Sequence, residues 1–260
     1  TTSNDATVEA KRVPTTVVKS SDDANKVTDI GKTLTYTVTG TVPYIPETEL
    51  STAKYWVTDK ITGAKYVLTG GVLKVTVETT GGYKKIYDVT PSKDGFTLDL
   101  TEILNENAYA NDEITISYQA EVTDIQVGNT VYVGTGENNG DYGHDSDDAY
   151  TGNVKLLKLA SDDDNETNLE DNAKLADADF VMYKKENGAN KYATVSDGKL
   201  TGWVDKKENA TTLTTNANGE IKVEGLDLGT YYFEEIKAPT GYSLDATPVD
   251  AEITLEGQTA

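Results

Sequence analysis

From Thr33 to Thr39 the chain reads Thr-Leu-Thr-Tyr-Thr-Val-Thr, with Leu34, Tyr36 and Val38 on one side and threonines on the other. A strict period of two belongs to a strand with one face in a core and the other in water. The same short alternation returns along the chain, rich in Thr, Val and Tyr, and no long helical pattern competes with it. The expected fold class is therefore all-β. At 260 residues the chain exceeds the usual single domain, so two tandem domains are expected. The stretch His144–Gly152, a short acidic run, reads as the linker. It divides the chain into a domain over 1–151 and a second over 152–260.

Composition narrows the function. Forty-four acidic residues against 23 basic ones give a net charge of −21, which excludes a phosphate-binding surface and disfavours an anionic membrane. Such a chain repels its own copies unless something specific joins them. With no cysteine there is neither a disulfide staple nor thiol chemistry, and one His and one Met leave no basis for a soft-metal site. No cofactor is expected. No leader, apolar spanning run or wall-sorting tail is present, so a surface protein with this sequence would be represented here by an interior stretch.

Several polar residues stand where a core is expected. In Val13–Lys19, alternation puts Val13, Val17 and Lys19 on one face, although a lysine at a strand end can also reach out to water. In Tyr55–Ile61 it groups Tyr55, Val57 and Asp59. Further strands are expected near 64–68, 72–78, 83–90, 96–100 and 113–124, with a helical turn or two at 101–107. In the second half, strands are expected at 153–159, 175–184 and 249–256. Tyr231-Tyr-Phe-Glu-Glu-Ile236 sets Tyr231, Phe233 and Glu235 on one face and Tyr232, Glu234 and Ile236 on the other. Ser161–Asn172 is crowded with acids; the glycine and terminal glutamate of a calcium loop are missing, so it reads as a solvated loop. Tyr192 and Trp203 are candidates for an exposed aromatic patch.

These stretches carry a resemblance. Tyr231–Tyr242, preceded by a turn, a strand and Gly225-Leu-Asp-Leu-Gly229, resembles the "E-box" region of the collagen-adhesin B-type domains of Gram-positive surface proteins and sortase-assembled pilins. Leu175-Ala-Asp-Ala-Asp-Phe-Val-Met-Tyr183 is similar to another strand of that family. Val13–Lys19, Ile30–Val38 and Tyr55–Asp59 resemble the collagen-adhesin A-type middle domain of three-domain major pilins. The resemblance implies immunoglobulin-like sandwiches, each closed by a self-formed amide between a lysine and an asparagine with a carboxyl as promoter. It assigns Lys19 as the first nucleophile and Asp59 as its acid. The asparagine falls on Asn138, with Asn139 and Asn129 as alternatives; Asn-Asn-Gly at 138–140 also reads as a hairpin turn. In the second domain the nucleophile is Lys158, with Lys155 as alternative, and Glu235 is the acid. The family's second asparagine lies on a strand following the one at 249–256, so its counterpart is expected beyond Ala260.

The chemistry needs these residue types. An attacking amine must be neutral, and burial among aromatic rings favours the neutral form. A carboxyl proton makes the asparagine carbonyl electrophilic and then travels so that ammonia can leave. The reaction runs once per molecule, so no enzymatic turnover is expected. The resemblance implies a structural subunit of a cell-surface pilus, with neighbouring pilin subunits and a sortase as partners; a stalk or ligand-binding part of a wall-anchored adhesin, facing a host receptor or matrix, is the alternative. Lys11 stands where a sortase-linking lysine would fall, but the Tyr-Pro-Lys-Asn motif is absent and no linking lysine is assigned.

Overall fold

The structure, a computed structural model, describes residues 13–161, 172–255 and 259–260. Lys11 and all but the ends of the acidic stretch 161–172 lie outside the described residues. Strands β1 (Val17–Ser21), β2 (Thr33–Thr41), β3 (Trp56–Thr62), β4 (Ala64–Tyr66), β5 (Leu68–Thr69), β6 (Val72–Thr79), β7 (Lys84–Val89), β8 (Gly95–Asp99), β9 (Glu113–Val122), β10 (Gln126–Gly134), β11 (Gly143–Ser146) and β12 (Ala149–Tyr150) form the first half. A 3₁₀ segment, Thr101–Asn107, links β8 to β9.

These strands make two sheets. One runs β1-β2-β9-β6-β5, with β4 on β9 and β7 on β6; the other runs β11-β10-β3-β8, with β12 on β10. Alternation decides their facing sides. Leu34, Tyr36 and Val38 of β2 and Ile114, Ile116 and Tyr118 of β9 point inward from the first sheet. They meet Val57 and Ile61 of β3, Phe96 of β8, and Val127 and Val131 of β10 from the second. Each such side chain contributes roughly 1.5–3 kcal/mol by leaving water.

The second half comprises β13 (Gly152–Leu157), β14 (Asp179–Glu186), β15 (Ala189–Ser196), β16 (Lys199–Val204), β17 (Leu213–Thr214), β18 (Glu220–Leu226), β19 (Gly229–Lys237) and β20 (Val249–Ile253). They form one sheet, β13-β18-β16-β15-β14-β19-β20, with β17 on β14. Val154 and Val223 from one end share a core with Met182 and Phe233 from the other, so the sheet folds over on itself into a sandwich. Asn187-Gly188 and Asp197-Gly198, all at positive φ, are the hairpin turns flanking β15. Thr259 lies parallel to Asn153, and Ala260 exchanges backbone bonds with Asn153 and Lys155, so the chain's last residues run along the free edge of β13.

The first core ends at Ala149 and the second begins at Val154. Asp29, just before β2, binds the second half. Its carboxylate accepts bonds from Lys184 Nζ (3.0 Å), Trp203 Nε1 (2.9 Å) and the Asp227 N–H (2.7 Å). Beside it the Ile30 N–H donates to the Gly225 carbonyl at 2.9 Å. Gly225 sits at φ +88°, and an added Cβ would come within 2.5 Å of Ile30 Cδ1, so only glycine lets Ile30 seat.

Candidate functional site

The buried polar groups of the first core gather at one place. Lys19 lies on β1, an edge strand of the first sheet, and the alternation of β1 turns its side chain inward until the amine is 0% exposed. Asp59, at the middle of β3 in the opposite sheet, meets it: Lys19 Nζ lies 2.5 Å from Asp59 Oδ2. Tyr66 donates its hydroxyl to Asp59 Oδ1 at 2.5 Å, and Tyr118 donates to Oδ2. The amine sits 5.2 Å and 5.0 Å from the ring centres of Tyr36 and Tyr118. Burial lowers the Lys19 pKa, against the opposing pull of Asp59. Burial first, and then the Asp59 charge, hold the Tyr66 and Tyr118 phenols protonated far beyond their ordinary range.

The asparagine in this cluster is Asn129, not Asn138. Asn129 takes the inward position between Val127 and Val131 on β10 and is 0% exposed. Its register partner on β3 is Ile61, two residues along from Asp59. Asn129 Nδ2 donates to the Tyr118 hydroxyl at 3.1 Å, and Lys19 Nζ donates to that same oxygen. Asn129 Oδ1 is buried without a hydrogen-bond partner among the described residues. Asn138, in contrast, is exposed at a turn with φ +56°, where its backbone N–H donates to Thr58 Oγ1. Asn139 caps the same turn, accepting from the Asp141 N–H at 2.8 Å. The turn chemistry of Asn-Asn-Gly thus prevails at 138–140. The signal for Asn129 was its inward phase in Val127-Gly-Asn-Thr-Val-Tyr-Val133, an amide in an otherwise apolar row. Tyr118 carried no such mark, because an inward tyrosine between Ile116 and Ala120 reads as core.

The segment after β10 straps both partners down. The Asp145 carboxylate accepts the Lys19 backbone N–H at 2.7 Å, and the Asp147 N–H donates to the Asn129 carbonyl at 2.8 Å.

The second half carries a smaller pair. Glu235 follows Tyr231 and Phe233 on the buried face of β19 and is 2% exposed. Lys158, immediately past β13, places its amine 3.0 Å from Glu235 Oε1, while Oε2 accepts the Asp245 N–H at 3.0 Å. Lys155 points outward instead and pairs with Glu220 at 2.6 Å. Among the described residues no asparagine side chain hydrogen-bonds to Lys158 or Glu235.

Trp203 does not form an open aromatic patch. It stacks on Tyr231 at 6.0 Å and gives its N–H to Asp29, while Tyr192 packs on Tyr183 at 5.6 Å. Among the described residues no His/Cys/Asp/Glu group could hold a metal ion, and no helix is long and apolar enough to cross a membrane.

Comparison with known proteins bears on the whole arrangement. Among curated protein sequences none matches. Solved structures do. The pilus 2b backbone protein of group B streptococcus aligns over 93% of this chain and 96% of its own, at 20% identity and a TM-score of 0.59. The pilus backbone RrgB of Streptococcus pneumoniae aligns over 93% of each chain, at 16% identity and a TM-score of 0.64. BcpA, the major pilin subunit of Bacillus cereus, aligns over 95% of this chain and 68% of its own, at 21% identity and a TM-score of 0.54. Residues 164–260 match the family described as SpaA, prealbumin-like fold domain, and the chain as a whole shares its fold with the backbone pilins of Gram-positive bacteria.

Proposed function

We propose that this chain is a structural subunit of a Gram-positive cell-surface pilus whose first sandwich locks itself with an amide between Lys19 and Asn129. The observation that carries this reading is the meeting of a buried amine, a buried carboxyl and a buried carboxamide around one phenol, across two sheets. No ordinary salt bridge needs Asn129 there.

The chain's own residues divide the work. Starting from the Lys19–Asp59 ion pair, the proton passes along the 2.5 Å contact to Asp59, leaving a neutral amine; burial favours this charge-free arrangement. The Lys19 lone pair attacks Asn129 Cγ, and Asp59 supplies its proton to the oxygen that gains charge, Oδ1. Breaking Cγ–Nδ2 restores the carbonyl and releases ammonia. Folding supplies the proximity, worth roughly 7–11 kcal/mol of barrier in favourable cases. The residues act once, as maturation and not as turnover.

The amide would tie edge strand β1 to β10 of the facing sheet. Tension applied at the ends of the first sandwich would then load a covalent bond in place of the β1–β2 hydrogen bonds. That suits a subunit held in a fibre by a sortase, outside the cell, without cysteine. For the second half we propose the same chemistry at Lys158 and Glu235.

Peptide mapping under denaturing conditions tests the first amide. A branched peptide joining the Lys19 and Asn129 segments is expected, with no tryptic cut after Lys19; separate linear peptides carrying an intact asparagine would overturn it. For the pilus role, cell-wall digests of the source organism should carry the chain in a ladder of covalent multimers. A lone monomer band would contradict that.

A further inference from the structure

Tyr118 Oη touches the attacking nitrogen, the departing nitrogen and the acid of the first site. It accepts from Lys19 Nζ, the attacking nitrogen, and from Asn129 Nδ2, the departing one, and it donates to Asp59 Oδ2. Asp59 itself is bonded to Lys19, Tyr66 and Tyr118, and among the described residues it has no hydrogen bond to Asn129. The leaving nitrogen therefore meets the acid only through the phenol.

We propose that Tyr118 is a catalytic residue of amide formation, relaying the proton from the attacking nitrogen to the departing one. The inference rests on the amide-forming reading of this site. When Lys19 Nζ adds to Asn129 Cγ, the new C–N bond leaves the attacking nitrogen with one proton too many. The Cγ–Nδ2 bond must break with its electron pair going to nitrogen, which leaves as ammonia only after gaining one proton. Tyr118 Oη takes the first proton as it gives its own to Nδ2, so the phenol ends as it began. Asn129 Oδ1, unpartnered among the described residues before reaction, gains charge as the bond forms; Asp59 lends it a proton once Lys19 has moved off Asp59 Oδ2 onto Cγ, and recovers it when the carbonyl re-forms. The balance is one amine plus one carboxamide going to one amide plus ammonia, with no outside reactant.

The ring is built to hold this position. Tyr118 packs edge-to-face on Phe96 at 5.1 Å, stacks on Tyr36 at 5.7 Å and tilts against Tyr66 at 6.0 Å. None of these contacts uses the hydroxyl, so Tyr118→Phe keeps them while removing the relay. Tyr66 provides a matched comparison: its hydroxyl also donates to Asp59 but touches neither nitrogen.

The experiment is a pulse of cell-free translation of the full chain, chased and sampled over time, with ammonia loss read by intact mass. Tyr118→Phe should slow the loss by about a hundredfold or more, the scale of general acid–base catalysis, and Tyr66→Phe by only a few-fold. Equal slowing by both would reduce Tyr118 to a prop for Asp59 and overturn the relay; wild-type speed in Tyr118→Phe would do the same. Should Tyr118→Phe fail to fold, 3-fluorotyrosine at 118 keeps the shape while making the phenol more acidic. The relay then predicts a shifted pH–rate profile, and an unchanged one refutes it. Absence of ammonia loss in the wild-type chain would instead bring down the underlying amide reading.

Discussion

Replacing Lys19 by Met and, separately, Asp59 by Ala separates the covalent bond from the burial of its parts. After reaction the lysine carries no charge, so Asp59 already faces a neutral neighbour and keeps its phenol donors from Tyr66 and Tyr118. Lys19→Met reproduces that state without the bond and so removes mainly the cross-link. The loop from Lys19 to Asn129 spans about 110 residues, and closing it stabilises by about 5 kcal/mol in the chain-entropy account. Unfolding entropy of ~2.1 cal/mol/K per residue over a sandwich of roughly 135 residues converts this to a fall in Tm of about 15–20 °C. Asp59→Ala loses the bond as well and strands an unreacted ammonium in an apolar pocket. Breaking one side of a buried pair costs about 3–5 kcal/mol more, or a further ~10–18 °C. Calorimetry of the three proteins should therefore rank wild type above Lys19→Met, and Lys19→Met above Asp59→Ala. If wild type and Lys19→Met melt within a few degrees of each other, the cross-link argument fails.

Other outcomes follow from the same geometry. Asn129→Ala should abolish ammonia loss and Asn138→Ala should leave it intact, as read by intact mass; the reverse result would return the role to the exposed turn. In Asn129→Ala the Lys19 amine stays unreacted with its pKa pushed below the ordinary 10.5 by burial. Between that lowered value and 10.5 the folded state binds fewer protons than the unfolded one, so stability should rise as pH rises through the window and fall as pH falls through it. Urea titrations across alkaline pH check the sign, and a slope of the opposite sign refutes it. Asp29→Ala removes three bonds between the halves, and losing about 2 kcal/mol there would speed hydrogen exchange at the Ile30 amide roughly thirtyfold. Unchanged protection at Ile30 would show that Asp29 does not hold the joint.

Much of the fold could be read from period two alone, because one buried face imposes it. The phases expected for Leu34-Tyr36-Val38 and for Tyr231-Phe233-Glu235 are those of the folded strands. The first strand was harder: Val13 is exposed and β1 begins at Val17, since β1 pairs with β2 only from Val17 opposite Gly40. The β15–β16 hairpin around Trp203 is marked in the sequence only by its turns, Asn187-Gly188 and Asp197-Gly198, because its faces alternate weakly. Asn129 could be named only as an alternative, and Tyr118 not at all, for another reason. Strand alternation says that a side chain points inward but not what it meets there. The meeting of Tyr118 with Lys19, Asp59 and Asn129 is made by the packing of two sheets, across sequence separations that no local pattern encodes.

The mass of the intact, purified wild-type chain is the most direct test of the central claim. Measured under denaturing conditions, it should fall short of the sequence mass by a single ammonia. Loss from the first sandwich is expected, and none from the second, where no asparagine side chain among the described residues bonds to Lys158. A chain weighing its full sequence mass would mean that Lys19, Asp59 and Asn129 form only a buried polar cluster.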